Sequence, residues 1–190
     1  KGEKVGRTRI KFARDGDAIV AVQDQRVQVE LGGGIDILAR VVFREWWDGE
    51  QLMKMSTFGK VKIPTGDRRF KVSAERNGAG DVLVTSERHT DRNGGPDRLP
   101  STFWHLQHIT SPDVFEPFGG GFATLDFSSK GIQPVEIDDK KVECMAFDLH
   151  VKYLDKEDLG ELPPGINPED VPLDRTFQAW FEPDGLLCAM

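Results

Sequence analysis

The sequence predicts an all-β protein, a strongly curved antiparallel β-meander that forms a half-barrel or a barrel. Four turn sequences reverse the chain, apolar and polar residues alternate between the turns, and only one short segment suits a helix. The turns are Asp15-Gly16, Asp48-Gly49, Asn77-Gly78 and Pro183-Asp184-Gly185. Asp-Gly and Asn-Gly pairs tolerate the positive φ of tight hairpin turns, so each indicates two antiparallel strands.

The first half of the chain predicts six strands. The clearest covers residues 6–14, where Thr8, Ile10 and Phe12 alternate with basic residues, so that one face meets a core and the other meets water. The other predicted strands of this half are 18–31, 35–47, 51–58, 69–76 and 81–87. Residues 89–99 predict an exposed loop.

The second half begins with the one predicted helix, near residues 100–108. Ser101 or Thr102 can cap it, and Phe103 and Leu106 suit one or two helical turns. Strands are predicted at 122–127 and 142–151, a long acidic loop at 154–173, and a last hairpin at 176–182 and 186–190. About ten antiparallel strands form a sheet that curls, because open sheets of that size seldom stay flat.

Length and charge indicate one soluble domain spanning residues 1–190. The net charge is −7, but residues 1–95 carry 18 basic against 14 acidic residues, and residues 96–190 carry 7 against 18. The basic residues are spread along strands, so nucleic acid is not an expected partner. No apolar run is long enough to span a bilayer. The chain opens on Lys1, and we expect a further N-terminal strand upstream of it.

The two cysteines, Cys144 and Cys188, are too few for a disulfide scaffold. One bridge between them remains open. In a simple meander they lie on strands separated by a third strand, which favours two buried thiols.

Aromatic residues are the best candidates for ligand binding. Four of them, taken from different parts of the chain, can line the concave side of a curved sheet. These four residues are Phe103, Trp104, Trp46 and Trp180. The alternative is that these rings fill a core, and the sequence favours that alternative.

His105 and His108 are the candidate metal ligands. Their spacing of three residues projects both imidazoles from one face of the predicted helix, as zinc requires. No third or fourth ligand has a diagnostic spacing, so packing of one imidazole against Trp104 is the stronger interpretation.

Catalytic and cofactor motifs are not found. No serine lies in a Gly-x-Ser-x-Gly elbow, and Cys144 lies in an apolar strand pattern that disfavours a thiolate. The two Gly-Gly-Gly runs lack the strand-to-helix context and the lysine of a phosphate loop. We therefore expect no cofactor, and the sequence favours a protein that is not an enzyme.

Four segments resemble an uncharacterised family of bacterial envelope proteins that carry a signal peptide. They are residues 2–10, 45–52, 99–104 and 180–185. The family is known as a domain of unknown function, and it is more distantly similar to curved-sheet periplasmic lipoprotein carriers. The resemblance implies a periplasmic or secreted location and supplies no catalytic residue. The 154–173 loop departs from the family pattern.

Two functions follow as hypotheses. The first is a non-catalytic envelope protein that binds an apolar molecule such as a lipid, or a larger protein complex, as a carrier or an accessory subunit. The second is a small metal-dependent enzyme that uses His105 and His108. The sequence favours the first, because β-sheet stabilisation accounts for most of the residues.

Overall fold

The computed structural model describes residues 6–31, 35–63, 66–137, 140–159, 169 and 171–189. The chain divides into two compact units. Unit 1 contains residues 1–96 and 117–120, and unit 2 contains residues 97–116 and 121–190. The single domain stays a prediction, because two compact units can still fold as one cooperative domain. Predictions on Lys1–Val5, on Gly32-Gly33-Gly34 and on residues 160–168 lie outside the described residues.

The all-β class is confirmed, and the strands form two sheets. The strands of the first sheet, in unit 1, are β1 (Gly6–Asp15), β2 (Ala18–Leu31), β3 (Ile35–Asp48), β4 (Gln51–Ile63), β5 (Gly66–Arg76), β6 (Val82–Ser86) and β7 (Arg92–Asn93). Those of the second sheet, in unit 2, are β8 (Leu99–Pro100), β9 (Asp113–Phe115), β10 (Phe122–Ile137), β11 (Lys140–Tyr153), β12 (Asp174–Phe181) and β13 (Leu187–Ala189).

The first sheet is a meander in which each strand pairs with the next one along the chain. The predicted turns join its strands as expected: Gly16 and Gly49 both adopt positive φ, at 62° and 56°. The Asn77-Gly78 turn works differently. The positive φ falls on Gly80, and the Asn77 side-chain oxygen accepts hydrogen bonds from the backbone N–H groups of Ala79 and Asp81.

One face of the first sheet is buried, and we call it the inner face. Val41, Phe43 and Val72 lie on it and are almost completely buried. Phe118, from the short segment of unit 1 at 117–120, packs edge-on against Phe43 with ring centroids 5.6 Å apart. Alternate residues of each strand point to opposite sides of the sheet. Those on the opposite, outer face are exposed along most of its length.

The second sheet is a curled half-barrel whose order is β13-β12-β11-β10-β9-β8. All its pairs are antiparallel except β8 with β9, which is parallel. The sheet packs over an apolar cluster that includes Leu125, Leu149 and Phe181. Asp158, in a 3-10 turn at Lys156–Leu159, accepts a hydrogen bond from the Phe122 N–H at 2.8 Å.

The short helix is confirmed, but it covers Gln107–Thr110, at the end of the predicted segment. Trp104 and Leu106, which precede this helix, form backbone hydrogen bonds with the last hairpin. Leu187 N–H donates to the carbonyl of Trp104, and Leu106 N–H donates to the carbonyl of Gly185. Phe103 has φ 49°, which an α-helix does not accept. Tertiary pairing therefore replaces the first predicted helical turn.

A disulfide joins Cys144 and Cys188, so the interpretation as two buried thiols was wrong. Their Cα atoms lie 6.8 Å apart, within the range that a disulfide spans. Cys144 is on β11 and Cys188 on β13, with β12 between them as expected. However, β12 ends at Phe181, which pairs with Met145, so no strand separates the two cysteines at the level of Cys144. Trp180 pairs with Ala189 and Phe181 pairs with Leu187, so the register shifts and Cys188 has no paired residue on β12.

Candidate functional site

An open-sided pocket of about 850 Å³ lies on the first sheet, where β1, β2, β3 and β4 run side by side. This volume falls within the roughly 300–1,000 Å³ typical of small-molecule sites. All the described residues that line it belong to unit 1. They are Gly6, Arg7, Arg26, Val27, Gln28, Leu38, Ala39, Arg40, Val42, Phe58, Lys60 and Lys62. Among these described residues there are five cationic side chains and no carboxylate.

Strand register explains why four of these cations, all except Lys62, lie next to one another. Arg7 lies opposite Arg26, and Arg26 lies opposite Arg40. The line continues from Arg40 to Lys60 and from Lys60 to Arg69. We call these five residues the cationic row. Residues that face each other on neighbouring strands share one side of a sheet, so the row crosses the outer face of all five strands.

Two carboxylates partly neutralise the cationic row. Asp24 accepts hydrogen bonds from Arg40 at 3.1 and 2.9 Å, and the Arg26 guanidinium lies 4.0 Å from it. Asp67 contacts Lys60 at 2.5 Å. The hydrogen bond from Arg40 is the main cause that lowers the pKa of Asp24, and the hydrogen bond from Lys60 lowers the pKa of Asp67. Both carboxylates are therefore ionised near neutral pH, and among the described side chains these two anions pair with Arg26, Arg40 and Lys60 of the row.

Apolar side chains flank the cationic row on the same face. Val42 and Phe58 face each other across β3 and β4, two residues along from Arg40 and Lys60, which places them about 7 Å away. Leu38 lies at a similar distance on the other side of the row. Phe58 is 54% exposed and Leu38 43% exposed. The site thus offers positive charge and apolar surface side by side.

The four predicted aromatic residues lie in two different units. Trp46 is on β3 in unit 1, where its indole N–H donates to Asp15 at 3.0 Å and Lys54 lies over its ring. Phe103, Trp104 and Trp180 are in unit 2. Phe103 packs on Phe177. None of the four lines the pocket on the first sheet, and their role in ligand binding stays a prediction.

Trp104 and Trp180 have specific neighbours within unit 2. Trp104 is buried against His108, with ring centroids 5.0 Å apart, as the packing interpretation expected. The indole N–H of Trp180 donates to the Gln133 side chain at 3.3 Å.

His105 and His108 also take part in the packing of unit 2. His108 is fully buried, and its Nδ1 lies 3.2 Å from the Thr102 hydroxyl. Burial lowers the pKa of His108 to about 3, and His105 adds a smaller lowering. The His105 Nδ1 accepts a hydrogen bond from the Gln107 N–H. Within the part of the chain that the structure describes, no three His, Cys, Asp or Glu residues are grouped so as to hold a metal ion.

Sequence reasoning missed the pocket although its signal was present. Basic residues at every second position of several strands predict one basic face as soon as the strands pair in register. Arg7, Arg9 and Lys11 show this period within β1 alone. Along the chain the basic residues are spread over several strands. Strand pairing places several of them next to one another on the outer face of the sheet.

Fold and pocket together define an all-β protein with a cationic, partly apolar pocket on an exposed sheet face. The chain belongs to the DUF6134 family, a domain of unknown function, which matches residues 1–159. This match confirms the predicted membership of an uncharacterised family, while the envelope location and the similarity to lipoprotein carriers stay predictions. No curated protein and no solved structure matches the chain. In the described ranges, no helix is long and apolar enough to cross a membrane.

Proposed function

We propose that the protein is a non-catalytic binding protein of the cell envelope that carries an apolar or amphiphilic molecule in the pocket of its first sheet. The pocket itself is the observation that carries this proposal. It has the volume of a ligand site, Phe58 and Leu38 provide exposed apolar surface inside it, and the partly buried Val42 also lines it. Exposed apolar clusters of this kind mark binding sites in soluble proteins.

The carrier role is favoured over that of an accessory subunit, because the pocket has a volume that suits a small molecule. The metal-enzyme alternative receives less support. His108 is buried without solvent access and contacts Thr102 and Trp104, which suits a packing role.

An envelope location is supported by the Cys144–Cys188 disulfide. Disulfides persist in oxidising compartments such as the periplasm and are rare in the cytosol of mesophiles. The resemblance of residues 2–10 and 180–185 to signal-peptide-bearing envelope proteins also supports an envelope location. Location is tested directly by fractionating source cells and detecting the chain with an antibody. Recovery in the cytosolic fraction would contradict it.

Titration with Nile red, a neutral apolar dye, tests the binding role. We expect its fluorescence to rise on binding, and Phe58→Ser to weaken the affinity about fivefold. Burying a whole phenylalanine contributes about 1.5–3 kcal/mol, and the half of the Phe58 ring that is exposed offers about 1 kcal/mol to a ligand.

Phe127→Ser is the matched control, since Phe127 is 47% exposed but lies on the second sheet. Equal losses in the two variants, or no fluorescence rise in the wild type, would overturn the proposal. Trp104→Phe in the same titration tests whether the predicted aromatic residues bind the dye instead.

A further inference from the structure

We propose that the ligand of this pocket is a single-chain amphiphile whose headgroup carries a negative charge. The inference rests on the proposed binding function and names the class of its ligand. Its starting point is the arrangement of the lining: five cations, Arg7, Arg26, Arg40, Lys60 and Lys62, lie beside apolar side chains, and none of the described lining residues is acidic.

The cationic row by itself lowers the stability of the folded sheet. Like charges that face each other on neighbouring strands repel, and this row has four such facing pairs in succession from Arg7 to Arg69. Asp24 and Asp67 offset only part of this repulsion. A third negative charge placed on the row by a ligand relieves the remainder. The row therefore favours an anionic headgroup over a neutral one.

Arg7 and Arg26 are the groups best placed to meet such a headgroup. Asp24 already binds Arg40 at 2.9 Å and is 4.0 Å from Arg26, and Asp67 already binds Lys60. Arg7 forms no salt bridge with another described residue. A guanidinium presents paired N–H donors that match a carboxylate or a phosphate. Two neighbouring guanidiniums on β1 and β2 thus form the anion-binding end of the pocket.

The apolar neighbours fix where the rest of the ligand lies. Val42 and Phe58 begin about 7 Å from the row along β3 and β4, which is the separation of two residues on one face of a strand. A headgroup on Arg7 and Arg26 therefore leaves an acyl chain free to run over β3 and β4 toward Phe58. A small inorganic anion would contact only the cations, and a neutral lipid would contact only the apolar surface. An anionic amphiphile contacts both.

Displacement of bound Nile red separates these possibilities. The competitors are dodecanoate, dodecyl phosphate and the neutral ester monolaurin, each below its critical micelle concentration at pH 8 and low salt. We expect both anions to displace the dye at about tenfold lower concentration than monolaurin. The stronger of the two anions identifies the headgroup as a carboxylate or a phosphate.

The double variant Arg7→Gln/Arg26→Gln should remove this tenfold preference, which corresponds to about 1.4 kcal/mol, when each competitor is compared at the variant's own measured affinity for Nile red. Its thermal unfolding temperature should equal or exceed that of the wild type, because it removes facing like charges. Unfolding is thereby excluded as the cause of lost binding. The control Arg14→Gln/Arg44→Gln changes the net charge equally, on β1 and β3, outside the pocket lining, and should keep the preference.

The outcomes distinguish this inference from the proposed function. Nile red binding that depends on Phe58, with equal potency of dodecanoate and monolaurin, would overturn the anionic headgroup and preserve the carrier. Absence of dye binding would overturn the carrier. Binding of a labelled oligo-dT that requires Arg7 and Arg26, and that dodecanoate does not displace, would overturn the amphiphile in favour of a polyanion.

Discussion

Removal of the Cys144–Cys188 disulfide should destabilise the protein by about 4 kcal/mol. The two cysteines are 44 residues apart in sequence, and closing a loop of that length in the unfolded chain accounts for about this free energy at 25 °C. For a chain of this length, each kcal/mol shifts the unfolding temperature by about 2–4 °C. The expected decrease on reduction is therefore about 8–16 °C.

Differential scanning calorimetry with and without a reductant measures this effect. The variant Cys144→Ala/Cys188→Ala should unfold at the temperature of the reduced wild type and should not respond to the reductant. Thiol titration of the unfolded protein checks the bridge independently. Two reactive thiols in protein purified without reductant, or an unfolding temperature that reduction leaves unchanged, would refute the reasoning.

Two further predictions concern unit 2. The pKa of His108 is lowered to about 3 in the folded chain, below its ordinary value of 6.5, so the unfolded state binds the proton first. The free energy of unfolding should therefore fall as the pH drops from 6.5 toward 3, by up to about 1.4 kcal/mol per unit. His108→Gln should flatten this slope between pH 6 and 4.5, and an unchanged slope in urea titrations would contradict the assignment. Arg98 is buried and donates to the carbonyls of Val114 and Ala123. Arg98→Met should cost about 1.5–3 kcal/mol in the same assay, because it removes the hydrogen bonds that a buried charged group donates to these two carbonyls; an unchanged urea midpoint would contradict that role.

Strand pairing could be predicted from the sequence where the turn contains residues that favour a hairpin. Asp15-Gly16 and Asp48-Gly49 each occur at a hairpin, because glycine adopts the positive φ that these turns require. The helix was harder to place. Its predicted first turn included Phe103 and Trp104, whose backbone conformation and bonding are set by the hairpin near Gly185, far away in sequence. Local propensity carries no information on that contact.

The candidate site was predictable in part. A two-residue period is visible in Arg7, Arg9 and Lys11, and it indicates a basic face on β1. The register that sets Arg7 opposite Arg26, and Arg26 opposite Arg40, depends on how three strands are aligned. Without that alignment, the aromatic residues looked like the better binding candidates.

By itself, the sequence determined the all-β class, the hairpin turns and the membership of an uncharacterised family. The first two properties depend on neighbours along the chain, on turn geometry and on alternation with a period of two, and the family membership rests on the resemblance of four segments. Only the tertiary structure decided the Cys144–Cys188 bridge, the burial of His108 and the cationic row. Each of these depends on which residues face one another across strands, and long-range register is fixed by packing and pairing over the whole sheet.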